Sequence, residues 1–326
     1  MKALVYDDVE KLVYRYMPDP VPALGQSLIR IEASGICGSD MHAYLGHDER
    51  RPAPLILGHE AAGRVVGGDL DGKRVTINPL TTCGLCAACK AGRDNLCPDR
   101  MIISMPPREG AFGELVIMAN RNLVEVPDDV PLSKAALAEP LACGWHAVRL
   151  GTAALDTPLT EARCVVIGGG AIGVGAALCL SAFGATDIQV IEPNALRRKT
   201  LDGIDGFSAA APGTVTDADL VIDGVGYAAT RADATAITRP GGVIMHIGLG
   251  EATGGLDIRR MTLQEITFIG TYTYTAQDFR DTASAIFDGR LGALDWTEER
   301  PLSEGQQAFA DIRAGIVAAP KIILRP

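Results

Sequence analysis

No stretch of this chain restricts its fold more than the run Val165-Val166-Ile167-Gly168-Gly169-Gly170-Ala171-Ile172-Gly173. Its apolar start suits a buried strand and its glycines a tight turn. The Ala- and Leu-rich stretch from Ala171 to Phe183 suits a helix packed closely on a sheet. In this G-x-G-x-x-G arrangement Gly168 permits the turn, Gly170 lets a pyrophosphate approach the backbone, and Gly173 lets helix and strand close on each other. Gly169, Ala171 and Ile172 complete the loop and open the helix, whose free N–H groups can meet phosphate. Glu192 follows at the end of the next apolar run. A carboxylate there accepts hydrogen bonds from the adenosine ribose hydroxyls and repels a 2′-phosphate, so NAD is expected ahead of NADP. Arg197 and Arg198 come soon after and weaken that preference, although such a pair usually marks a solvated helix face.

Around this unit the chain changes character. Up to about Pro127 it consists of short β-prone runs, Ser27–Ala33, Gly63–Val66, Arg74–Asn78 and Glu114–Met118, between Gly, Pro and Asp turns, the pattern of a twisted β domain. From about Ala138 the runs lengthen and lose polar alternation: Cys164–Ile167, Ile188–Ile191, Leu220–Asp223, Val243–Ile247 and Ile266–Ile269 read as parallel strands buried on both faces. A helical segment near Phe279–Phe287 and a last strand Lys321–Leu324 are expected to return to the first domain. A length of 326 residues suits two unequal domains. The stretch Cys164–Thr186 carries no charge and could span a bilayer, but its glycines favour strand, turn and buried helix instead. A net charge of -10 argues against general nucleic-acid binding. No signal-like apolar run opens the chain, so a cytoplasmic protein is expected.

Eight cysteines in such a compartment point to metal or catalysis rather than disulfides. Cys83, Cys86, Cys89 and Cys97 form C-x2-C-x2-C-x7-C in a lobe with little apolar residue to bury, as a closed structural zinc site would require. An iron–sulfur cluster uses the same residue types. A second set, Cys37, His59, Glu60 and Glu139, has no regular spacing, yet thiolate, imidazole and carboxylate together suit an open catalytic zinc. His59 and Glu60 both reach a metal only if the chain turns there, because neighbours on a regular strand face opposite sides.

Gly35-Ile36-Cys37-Gly38-Ser39-Asp40-Met41-His42, Leu57-Gly58-His59-Glu60, the four-cysteine lobe, Glu139-Pro140-Leu141 and the glycine turn follow one another in an order that resembles the zinc-dependent medium-chain dehydrogenases, particularly the sorbitol and polyol branch. The resemblance covers the chain almost end to end. It implies a GroES-like twisted β domain carrying both zinc sites (1–147), a Rossmann-type doubly wound parallel sheet that binds NAD (148–270), and a return segment (271–326). It also implies two zinc ions per chain and a homodimer or homotetramer, with no nucleic-acid or membrane partner.

By the same resemblance Cys37 and His59 hold the catalytic zinc with Glu60 or Glu139. Ser39 passes the substrate's hydroxyl proton towards the nicotinamide ribose, and His42 releases it to solvent. Imidazole suits that last step because it exchanges protons near neutral pH. Glu139 stands where simple alcohol dehydrogenases of the family carry cysteine, which favours a polyol. Arg50 and Arg51 leave room for a phosphorylated sugar alcohol. Threonine or simple alcohol oxidation, and a dinucleotide-binding protein without catalysis, are the alternatives. The stretch between Glu192 and Leu220 is short for the family and leaves little room for a full helix and strand at the adenine edge.

Overall fold

The computed structural model describes residues 1–326, which fold as two compact units. The first comprises Met1–Glu139, Thr275–Asp288 and Thr297–Pro326; the second comprises Pro140–Tyr274 and Gly289–Trp296. Set beside the expected divisions after 147 and 270, the changeovers lie eight residues earlier and four later. The return segment is itself interrupted, because residues 289–296 go with the second unit, where Arg290 lies over the Trp145 ring.

In the first unit the strand Gln26–Gly35 alternates as a half-buried strand should, with Ser27, Ile29, Ile31 and Ala33 turned inward. It pairs antiparallel with Glu60–Val66, Leu115–Ala119 and Lys321–Arg325. Ile29, Ile31, Ala61, Val65, Val75, Ile77, Val116 and Met118 form one core of this unit. The register sets Gly35 opposite both Glu60 and Ile323. The end of one strand and the starts of two others therefore meet at one place. Cys37 leaves the first strand there, His59 and Glu60 enter the second, and Lys321 enters the third.

The second unit is a six-stranded parallel sheet in the order Ser208–Ala210, Asp187–Ile191, Arg163–Ile167, Ala218–Asp223, Thr238–His246, Thr267–Gly270. This is a doubly wound order, with the glycine turn following the strand at which the winding reverses. The helix Ala171–Ala182 is buried along most of its length because Gly173, Gly175, Ala176 and Ala177 present almost no side chain to the sheet. At the adenine edge both elements survive in reduced form, a seven-residue helix Ala195–Leu201 and a three-residue strand Ser208–Ala210. Residues 211–217 then cross to the next strand with no helix, and Val215 from that crossing is buried in the core. No helix of the chain is long and apolar enough to cross a membrane.

Candidate active site

The chain turns at Gly58, whose φ of +92° is left-handed, and a Cβ there would come within 2.5 Å of Phe112. That turn lets His59 and Glu60 face the same way. Ligand atoms of Cys37, His59 and Glu60 lie within 4.8 Å of one another, with His59 and Glu60 buried. Glu139 lies outside that set, buried in the first turn of the helix Ala138–Ala154. Gly35 makes room for the Glu60 carboxylate, since a Cβ at that position would sit 2.0 Å from Oε2.

Two side chains that sequence reasoning did not assign hold this group. Asp40 accepts a hydrogen bond from the Cys37 N–H at 3.0 Å and a longer one from the Gly58 N–H at 3.3 Å, and its Oδ1 lies 3.5 Å from Nδ1 of His59. Burial opposes ionisation of Asp40, but His59, Arg51 and the Cys37 N–H outweigh it and hold the carboxyl below its ordinary range. Burial likewise opposes the charge on His59, which Asp40 and then Cys37 raise well above the usual histidine range. Lys321 is the second. Its ammonium donates to Oε1 of Glu60 at 2.6 Å and to the Ile36 carbonyl at 2.8 Å, and both members of the pair are shut from solvent. Burial works against the Lys321 charge, while Glu60, Cys37 and Glu139 raise its pKa.

With Oε1 engaged, Oε2 of Glu60 is buried and has no hydrogen-bond partner. Orphaned buried groups of this kind are uncommon and point to an ion. A thiolate, an imidazole and a carboxylate form a donor set that zinc accepts. The residues therefore fit the metal.

Ser39 and His42 lie three residues apart on the short helix Gly38–Tyr44, hence on one face, and both are half-buried. Of the two arginines expected to be open to phosphate, Arg51 is closed off while Arg50 stays 63% exposed. Arg51 is buried and donates to Asp48 and to the carbonyls of Ser104 and Ser39, and Arg50 also pairs with Asp48. These contacts pin the loop after the helix.

In the lobe, ligand atoms of Cys83, Cys86, Cys89 and Cys97 also lie within 4.8 Å of one another. The Leu85 and Cys86 N–H groups lower the Cys83 thiol to about 6, while burial lifts that of Cys89 to about 11. Between Cys83 and Cys97 only Asn95 and Cys97 are buried, so the lobe has no apolar core of its own and suits a structural metal. Asp94 of the lobe accepts from the Ala276 N–H at the start of the helix Ala276–Phe287. Cys164 and Cys179 are core thiols, the first raised to about 12 by burial.

In the second unit Gly168 has φ +101°, and a Cβ on Gly173 would meet the Gly168 carbonyl oxygen at 1.7 Å. A Cβ on Gly170, by contrast, would meet nothing within 4 Å, so the turn is open where a pyrophosphate would lie. The Glu192 carboxylate is folded back onto this turn, accepting from the N–H of Gly169 at 2.9 Å and of Asn194 at 2.8 Å, with Arg197 at 3.6 Å.

Residues 23–128 match the alcohol dehydrogenase GroES-like domain, and residues 171–288 match the zinc-binding dehydrogenase model. The chain is 29% identical over 312 residues to an L-galactonate-5-dehydrogenase of Escherichia coli (strain K12), covering 90% of this chain and 89% of that protein. It is 38% identical over 207 residues to a sorbitol dehydrogenase of Bacillus subtilis (strain 168), covering 60% of this chain and 57% of the relative. Among solved structures, a candidate zinc-binding dehydrogenase of Sinorhizobium meliloti 1021 bound to NADP superposes with a TM-score of 0.89 at 26% identity, covering 100% of this chain and 99% of that one.

Proposed function

The chain belongs to the zinc-dependent medium-chain dehydrogenases, in the polyol dehydrogenase branch, and from that premise we propose that it oxidises a secondary hydroxyl of a polyol or related sugar derivative to a ketone. The observation that carries this reading is the buried set Cys37, His59 and Glu60, with Oε2 of Glu60 lacking any partner in the protein. Zinc held there would supply Lewis-acid stabilisation of charge on the substrate oxygen, and a nicotinamide dinucleotide bound by the second unit would accept the hydride.

The protein's own residues do the rest. Asp40 and Lys321 hold His59 and Glu60 in place, a supporting role that fixes the orientation of ligands. Lys321 withholds one oxygen of Glu60, which leaves Oε2 as the atom Glu60 offers. Ser39 would take the hydroxyl proton of the substrate, and His42, on the same helix face, would pass it to solvent. Gly168 to Gly173 would receive the pyrophosphate, and Glu192 the adenosine ribose, which favours NAD. Glu139, in place of the cysteine of simple alcohol dehydrogenases, favours the polyol over a simple alcohol. Burial of Arg51 against Asp48 removes its support for a phosphorylated substrate and leaves that reading to the exposed Arg50 alone.

The test is the initial rate of NADH formation with polyols, sugar acids, threonine and simple alcohols. Turnover of a polyol, abolished by a chelator, is expected. Silence across the panel from zinc-loaded protein would favour a non-catalytic dinucleotide-binding protein.

A further inference from the structure

The helix Gly38–Tyr44, which carries Ser39 and His42, has seven residues, too few to hold its own place. What it is tied to therefore decides where those two side chains stand. Tyr44, buried against Phe309, anchors its far end, and Asp40 ties its first turn to the Gly58 N–H. Arg51 reaches Ser39 itself. The Arg51 side chain is 2% exposed, and its Nη1 donates to Oδ2 of Asp48 at 2.7 Å and, more loosely, to the Ser39 carbonyl at 3.4 Å. Its Nε donates at 2.9 Å to the carbonyl of Ser104, a buried residue held at a left-handed φ of +68°. The chain beyond Ser104 runs back to the metal ligands. The N–H groups of Gly110, Ala111 and Phe112 bond the carbonyls of Ile56, Gly58 and Leu57, the residues that lead into His59. Arg51 thus closes a ring of contacts that passes from Ser39 through Ser104 to Gly58 and returns by Asp40. A planar guanidinium holds two carbonyls at a fixed spacing, whereas an ammonium is a point charge on a flexible stem.

We propose that Arg51 is a positioning residue for proton removal: it holds the first turn of this helix against the segment that sets His59, and so keeps the Ser39 hydroxyl aligned with the metal site. The proposal rests on the reading of Ser39 as the group that takes the substrate's proton. Asp48 and the nearby Asp40 balance the buried charge, and the two carbonyls use its geometry.

Arg51→Lys keeps the charge and gives up the paired carbonyl contact. In the zinc-loaded protein it should lower kcat for polyol oxidation about tenfold or more and leave KM within about threefold, because a slightly misplaced reacting group is felt mainly in the transition state. A residue that only supported the fold would lower kcat in any background. The same substitution should instead change the residual rate of Ser39→Ala by less than about twofold, since effects that pass through one side chain do not add. Amide hydrogen exchange supplies a readout apart from activity. It should quicken over residues 38–44 in Arg51→Lys and stay as in wild type over residues 60–66, with zinc content unchanged. Arg51→Gln, which lacks the charge as well, repeats the cycle and should lose at least as much. Equal losses in the wild-type and Ser39→Ala backgrounds, an unchanged kcat, or loss of zinc from Arg51→Lys overturns the proposal, while polyol turnover by wild type leaves the proposed reaction standing. Failure of both Arg51 variants to fold makes Arg51 a stability residue and overturns it likewise. Absence of turnover by wild type overturns the reading of Ser39 and the proposal together.

Discussion

Lys321 and Glu60 show how much of the site is built by residues far apart in sequence. Their contact joins positions 261 residues apart, and no local pattern in the chain announces it. Removing one member of such a pair leaves the other charge buried and alone, so Lys321→Met should cost about 3–5 kcal/mol at neutral pH by chemical denaturation. The pH dependence has a definite sign. The Lys321 pKa is raised in the folded protein, so its contribution is complete below the ordinary lysine value of 10.5 and is lost as pH rises through the higher folded value. Wild-type stability should therefore fall more steeply than that of Lys321→Met as pH rises from 10.5 through the higher folded value, and parallel pH curves there would contradict the assignment. Cys37, His59 and Glu60 could be named from the sequence because they sit in short motifs. Asp40 sat in the same motif, but its hold on the Gly58 N–H and its approach to His59 exist only once two strands have paired.

At the scale of elements, backbone requirements were the legible part. The glycine run announced strand, turn and helix because few other residues allow that turn, and the cysteine spacing announced a lobe because nothing else there could organise it. The turn at Gly58 was legible only as a condition, and the left-handed φ meets it. Gly58→Ala should destabilise the protein by at least about 1 kcal/mol and reduce its retention of the zinc at Cys37, His59 and Glu60, measured by dialysis against a weak chelator. Unchanged retention would show that the turn does not set His59. The link from Asp94 to the helix Ala276–Phe287 was not legible, since it connects the lobe to a segment 182 residues away. Asp94→Ala should lower stability by about 0.3–1 kcal/mol, the usual worth of a carboxylate at a helix start. A chelator strong enough to empty the lobe should produce the same loss or more in wild type.

For the whole molecule, periodicity and composition set two domains and their classes, because apolar patterning is written in every strand. They did not set where the chain changes from one unit to the other, since residues 289–296 join the second unit through contacts, such as Arg290 with Trp145, that a one-dimensional pattern does not encode. The division of labour implies independent losses. Gly173→Val, whose side chain would collide with the Gly168 carbonyl, should abolish NADH binding and leave both zinc ions in place. The most direct check of the central claim is metal analysis of purified wild type and Cys37→Ala, with polyol oxidation measured on the same samples. About two zinc ions per chain in wild type and about one in Cys37→Ala, with activity lost and NADH still bound, is the expected result. Two zinc ions retained by Cys37→Ala would contradict the assignment of Cys37, His59 and Glu60 as the catalytic metal site.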